Sequence, residues 1–417
     1  MIKPEKFIQS IDASKEGREK EMIVLFDKKE QCCCCAACMN ICPTQAITIK
    51  ADVDGFTFPE INKDLCTECG LCNKVCAFQN IPVTGDGPMA TYAAINKNSN
   101  VLSASASGGI FGALASLVFD KEGVVFGCAY NENMEPEHIC VDNQLDIKKI
   151  QGSKYVQSNI NTTYSDAKGY LKDGRWVLFT GTPCQIAGLK SYLGKDYTNL
   201  ITADIICHGV PSVEVFKGYI NYLEDKLKGK VIDLKFRDKS KGWGHIEKVI
   251  YKKDGILKEK LIQPFNSYYH SYFLNGDILR ENCYECKYAC SSRVGDFTMG
   301  DYWGIEKVHP EIVTKEGVSV LLVNSKKGIE LIDDLSKCLQ LTESLFEQAR
   351  VQNGPLNRPN AKSEKRDIIL KTWREGDYKA VADEYYRMNK KLIILSRCKM
   401  LIPRSIKKHL KRVLRRG

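Results

Sequence analysis

The sequence predicts an α/β protein in three parts: a small cysteine-rich α+β module, an alternating α/β body and a helical C-terminal extension. Three observations carry this reading. Two cysteine runs of identical spacing lie near the N-terminus, strand-like and helix-like segments alternate between about residues 88 and 345, and the last residues combine helical periodicity with strong basicity. The parts divide as a lead (1–29), the cysteine module (30–82), two portions of the body (88–165 and 166–345), a helical extension (346–390) and a basic tail (391–417). A chain of 417 residues accommodates roughly two to three domains with real cores.

Composition narrows the setting. Hydrophobic content of 43% and charged content of 27% are those of an ordinary soluble protein. The first thirty residues are too charged for a secretory signal, and the longest mostly apolar stretch, Ile110 to Phe119, falls far short of the ~20 residues a membrane span requires. A cytoplasmic location is therefore expected. In that reducing compartment 19 cysteines read as metal ligands rather than disulfides. The net charge of +10 is concentrated: residues 391–417 carry ten Lys/Arg and no acidic residue, so over the rest of the chain the charges cancel. A neutral body without a helix-turn-helix or RNA-binding signature argues against a nucleic-acid binder.

The first cysteine run has one register that fits an iron–sulfur cube: Cys32, Cys35, Cys38 and Cys42, followed by Pro43, as C-x2-C-x2-C-x3-C-P. Cys66, Cys69, Cys72 and Cys76 repeat the spacing, with Ala77 in the proline's place. In bacterial-type two-cluster ferredoxins the fourth cysteine of each run serves the other cluster. One cluster is thus assigned to Cys32, Cys35, Cys38 and Cys76, the other to Cys66, Cys69, Cys72 and Cys42. Zinc modules instead separate two cysteine pairs by about a dozen or more residues. Cys33 and Cys34 fall outside the register and read as bystanders. Between the runs, AITIK and GFTFPEI read as strands joined at Asp52-Val53-Asp54-Gly55.

In the body, ATYAAI reads as a strand. Ser105-Ala106-Ser107-Gly108-Gly109 then opens the apolar helix IFGALASLVF, and the strand GVVFGCAY follows. Such a turn offers N–H groups and hydroxyls to an anion, although N-capping and close packing explain it equally well. Downstream, the strand WVLFT runs through Gly181-Thr182-Pro183-Cys184-Gln185 into the helix IAGLKSYL, which puts Cys184 where a helix dipole favours thiolate. LITADII then ends at Cys207-His208-Gly209-Val210-Pro211. All three turns follow strands, where ligands gather in open α/β sheets. Cys283, Cys286 and Cys290 supply three ligands of a third cube, with either Cys184 or Cys207 as the fourth. Cys128, Cys140, Cys338 and Cys398 stand alone and read as core residues.

These pieces, in the order GFTFPEI, SASGG, GSKYVQS, LFTGTPCQIAGL, CHGVP, C-x2-C-x3-C and DFTMGDYWG, make residues 30 to 345 resemble the coenzyme F420 (deazaflavin) hydrogenase and formate dehydrogenase beta subunits. The resemblance is closest to bacterial members without an assigned substrate. It implies a flavin, usually FAD, fed by two ferredoxin-type 4Fe-4S clusters and a third 4Fe-4S cluster. By position, Ser105, Ser107, Gly108, Gly109, Lys154, Gly181, Thr182, Pro183 and Gln185 would line the flavin pocket. The resemblance also implies an anaerobe's redox chemistry. His208 stands where deazaflavin-reducing members carry a carboxylate, which speaks against that substrate.

The expected function is a flavin- and 4Fe-4S-dependent oxidoreductase acting on a small molecule, with a redox partner protein or reduced ferredoxin as electron donor. His208 is the candidate proton donor, and Lys154 the candidate partner of a flavin phosphate or of the anionic reduced ring. The alternatives are a non-catalytic electron-transfer subunit and, more remotely, an iron–sulfur redox sensor. In the tail, Ile406, Leu410, Val413 and Leu414 share one helical face amid basic residues, which suits peripheral contact with an anionic membrane.

Overall fold

The computed structural model describes residues 23–80, 85, 87–312 and 314–401. The cysteine module opens with short helices at Ala37–Ile41 and Leu71–Lys74, between which β1 (Ile47–Ala51) and β2 (Thr57–Ile61) form the expected antiparallel hairpin. Its turn is closed by Asp52, whose Oδ1 accepts the amides of Asp54 and Phe56 at 2.9 Å each, and Gly55 supplies the positive φ of 75°.

The body is one eight-stranded sheet. Its strands are β3 (Ala90–Asn96), β4 (Val124–Tyr130), β5 (Pro136–Val141), β6 (Val177–Gly181), β7 (Leu200–Ile205), β11 (Phe297–Asp301), β12 (Ser319–Val323) and β13 (Leu339–Glu343). The spatial order is β13-β3-β12-β11-β7-β6-β4-β5. β11, β7, β6 and β4 run parallel, while β12 and β5 are antiparallel to their neighbours in that core. β3 is antiparallel to β12 and so points the same way as the core. Strands from 88–165 and 166–345 share this sheet, so both portions of the body form one structural unit.

Continuous apolar runs in the parallel strands reflect burial on both faces. Phe126, Phe179 and Leu200 face the helices Thr163–Lys172 and Pro183–Leu193, whereas Val125, Leu178 and Ile201 face the helix Ile110–Phe119. The cysteine module packs on the first face, where Ala36, Ala37, Ala77 and Phe78 join that core. Gly188 permits close approach there: a Cβ at that position would lie 2.9 Å from the Cys35 Sγ.

One element the sequence reading passed over is a separate antiparallel sheet of β8 (Lys230–Lys235), β9 (Glu247–Lys253) and β10 (Ile256–Ile262). The C-terminal extension is helical, with helices at Phe346–Arg350, Lys365–Glu375 and Tyr378–Leu401. The last of these runs unbroken through the expected division at residue 390. The basic amphipathic segment expected from Arg404 to Arg416 lies outside the described residues. No helix among the described residues is long and apolar enough to cross a membrane.

Candidate metal centres

The sheet's connectivity gathers the chemistry at one edge. The parallel strands end there, so the turns after β3, β6, β7 and β11 open on the same side. Thr182 and Gln185 form a capping box that starts the Pro183–Leu193 helix directly after β6, placing Cys184 in its first turn. Cys207 follows β7, one strand over. The Cys283–Cys290 loop is tied to the same place by Arg293. Its Nη2 donates to Asp204 of β7 at 2.8 Å, both groups being buried, and Asp204 also accepts from the Gly295 amide and the Thr298 hydroxyl at 2.8 Å each.

Four thiols meet as a result. Burial raises the Cys207 thiol well above its ordinary value, and Cys283, Cys184 and Cys286 raise it further. Cys283 is pushed up to about 12 by burial, then by Cys286 and Cys184; Cys286 is pushed up to about 11 by burial and Cys184. Thus Cys184 and Cys207, posed as alternatives, both join Cys283 and Cys286. Cys290 turns away: its Sγ lies 3.3 Å from the Ser292 carbonyl and 3.6 Å from that of Lys287, toward solvent.

The first ferredoxin-type set also converges. Burial raises the Cys38 thiol, and Cys35, Cys32, Cys34 and Cys76 add to it, so all four lie near it. The second set lines a small cavity of about 20 Å³ to which Cys42, Cys66, Cys69 and Cys72 all contribute. Within it Cys42 accepts the Ala46 amide at 3.3 Å. Cys69 is exposed and Cys66 partly so, which makes this the outer set. Cys42 thus lies with Cys66, Cys69 and Cys72, and Cys76 near Cys38. No group of three or more His, Cys, Asp or Glu among the described residues is placed to hold a single metal ion. Each quartet supplies four soft sulfur donors, the ligand type that iron–sulfur cubes take.

Cys33 is no bystander. It is buried beside Cys184 and Cys35, and its interaction with Cys184 raises Cys33 and lowers Cys184. It therefore stands between the inner ferredoxin set and the body's own set. Cys34 packs on the Thr57 hydroxyl at 3.5 Å.

The residues predicted to line a flavin pocket are engaged within the chain. Ser105 Oγ donates to the Val101 carbonyl at 2.7 Å, Ser107 Oγ to that of Val318 at 3.0 Å, and the Gly108 amide to Ser319 Oγ at 2.7 Å. A Cβ on Gly108 would meet the Ala94 carbonyl oxygen at 2.1 Å, so this glycine packs against backbone. Gln185 Nε2 donates to Ser158 Oγ at 3.0 Å. Lys154 Nζ donates to the carbonyls of Gln151 and Lys149, and burial lowers its pKa. His208 Nε2 donates to the Phe273 carbonyl at 3.1 Å, and burial keeps the ring neutral more readily. These groups hold turns together within the chain.

The edge carries a second constellation that the sequence reading missed. Arg237, beyond β8, pairs with Asp301 at 2.5 and 2.8 Å, and Trp243 Nε1 donates to the same carboxylate at 2.6 Å. Trp243 stacks on Trp303 at 4.8 Å, and His245 stacks on Trp303 at 5.4 Å. Lys239 Nζ donates to the carbonyls of Leu102 and Ser107 at 2.6 Å, fastening this loop to the Ser/Gly turn, and burial lowers it to about 8.

Residues 174–348 match the family described as the C terminus of the coenzyme F420 hydrogenase/dehydrogenase beta subunit. Over these residues, under half of its length, the chain is similar to that family. The beta-subunit domain so defined spans β6 to β13 and contains Cys184, Cys207 and the Cys283–Cys290 loop. A chain of the F420-reducing NiFe hydrogenase complex from Methanosarcina barkeri, solved with xenon derivatization, is similar at 15% identity and TM-score 0.42, over 75% of this chain and 94% of that one. No curated protein matches.

A buried histidine braces the beta-subunit domain behind Cys184. His138 Nε2 donates to the Thr180 carbonyl at 2.9 Å, and Ser158 Oγ, itself bound by Gln185, lies 2.9 Å from its Nδ1. Burial pulls His138 from 6.5 down to about 4. Between those values the unfolded chain takes up a proton that the fold refuses. This contribution is therefore complete above pH 6.5 and lost as the pH falls toward 4, amounting to about 3 kcal/mol. In urea unfolding, the stability gap between wild type and His138→Gln should narrow across that window. A gap independent of pH would contradict the assignment.

Proposed function

We propose that the protein is an iron–sulfur oxidoreductase that conducts single electrons from an exposed outer cluster, through an inner ferredoxin-type cluster, to a third cluster at the sheet edge. The observation that carries this reading is the succession of three four-thiol sets, from exposed Cys69 through Cys32, Cys35, Cys38 and Cys76 to Cys184, Cys207, Cys283 and Cys286. Each set would hold a 4Fe-4S cube, whose thiolates and sulfides supply reversible one-electron storage. Cys33, close to Cys35 and Cys184, lies between the two inner sets. A redox partner protein or reduced ferredoxin would dock beside Cys69.

The two-electron end of the chain is a flavin, as the family resemblance implies, and a small-molecule substrate. The polar groups first assigned to it are already bound within the chain, and no step of the one-electron path depends on it. Denaturing anaerobically prepared protein should release a fluorescent flavin if that part of the reading holds; a colourless supernatant from iron-replete protein would restrict the chain to electron transfer alone. Dithionite reduction followed by electron paramagnetic resonance tests the wire itself. Spectra of mutually coupled reduced clusters are expected, and a single isolated signal would refute the succession.

A further inference from the structure

Arg280 is the largest fully buried side chain among the described residues, with no exposed surface. Its Nε donates to the Cys32 carbonyl at 3.0 Å and its Nη1 to Gln157 Oε1 at 3.1 Å, while Gln157 Nε2 donates to the Cys33 carbonyl at 3.1 Å. The guanidinium lies 4.1 Å from the centre of the Phe58 ring. Nη2 has no hydrogen-bond partner, and no carboxylate pairs with Arg280 among the described residues.

A guanidinium stays charged in proteins, and a buried charge without a counter-ion is costly. What surrounds this one is sulfur. On one side Arg280 holds the Cys32 carbonyl and, through Gln157, that of Cys33; on the other its own carbonyl accepts the Cys283 amide at 3.0 Å, with Cys184 nearby. The first pair belongs to the cysteine module, the second to the beta-subunit domain, so the cation stands at their junction. Resting on the cluster reading above, we propose that Arg280 is the shared counter-cation of the two inner clusters and raises the reduction potential of both. A nearby positive charge stabilises the more negative, reduced state of each, and its spare N–H is a donor available to cluster or thiolate sulfur. The outer set of Cys42, Cys66, Cys69 and Cys72 lacks this cation, so the arrangement draws an electron inward from the surface.

The experiment is a redox titration of the full-length, iron-replete protein followed by electron paramagnetic resonance, on wild type, Arg280→Gln, Arg280→Met and Arg280→Lys. In the two neutral variants both inner couples should move to more negative potential while the outer couple stays in place. Lysine should return the inner couples toward wild type. If a neutral variant instead loses inner-cluster iron, retention by the lysine variant supports the same conclusion. Inner couples unmoved in an iron-replete neutral variant, or Gln and Lys variants altered alike, would overturn the proposal alone. A wild type lacking the inner couples would overturn the cluster reading and this proposal together.

Discussion

Replacing Cys207 with serine should cost the protein a whole cube, about four iron atoms, and replacing Cys184 should cost the same. The spacing C-x2-C-x3-C offers three ligands and leaves one of these two to complete the set. The fold instead brings Cys184 and Cys207 together with Cys283 and Cys286, while Cys290 faces the Ser292 carbonyl and solvent. Cys290→Ser should therefore keep its iron. Iron and sulfide analysis of the three variants, with the two ferredoxin-type signals monitored as controls, decides the matter. Iron lost from Cys290→Ser but retained in Cys184→Ser would reverse the assignment.

The second large effect is expected at Asp204. This carboxylate ends β7 and holds Arg293, the Gly295 amide and the Thr298 hydroxyl, all buried. Asp204→Ala strands the Arg293 guanidinium, and breaking one side of such a pair costs about 3–5 kcal/mol. It also unfastens the loop that carries Cys283 and Cys286. Unfolding in denaturant should show the destabilisation, and the third cluster should be lost before the other two on mild chelation. Removing both partners, Asp204→Leu with Arg293→Met, should recover much of the stability, since no charge then remains buried alone. A double variant no better than the single one would show that the pair's role is not electrostatic.

Much of the fold was legible because it rests on local signals. The hairpin at Asp52–Gly55 followed from an Asp-x-Asp-Gly turn between alternating residues, and the parallel core from apolar runs each ending in a Gly- or Cys-containing turn. The β8–β10 sheet was passed over because lysines interrupt its strands: KVIDLK, EKVIYKK and ILKEKLI read as polar, and β10 is in fact largely exposed. A signal was nevertheless present in Asp254-Gly255, both at positive φ, between two alternating runs. The proposed ferredoxin ligands rest on a local signal of the same kind, since three of each set of four come from one short run.

What escaped depended on long-range packing. Cys33 gains its place only when the Pro183–Leu193 helix brings Cys184 against it. Arg280 is an ordinary arginine in sequence until the carbonyl of Cys32, some 250 positions earlier, accepts its hydrogen bond. The Arg237–Asp301 pair and the Trp243–Trp303 stack likewise join segments some sixty residues apart. The Ser/Gly turns are tied by packing of the same kind. Their composition suits an anion, but the neighbouring Val101, Val318 and Ser319 already take up the hydroxyls and amides.

The cluster reading stands most directly on metal content. Protein purified anaerobically with its full chain should contain about 12 iron and as many acid-labile sulfide atoms, three cubes' worth. Iron near eight with a silent third site would remove the sheet-edge cluster, and stoichiometric zinc in place of iron would contradict the reading as a whole.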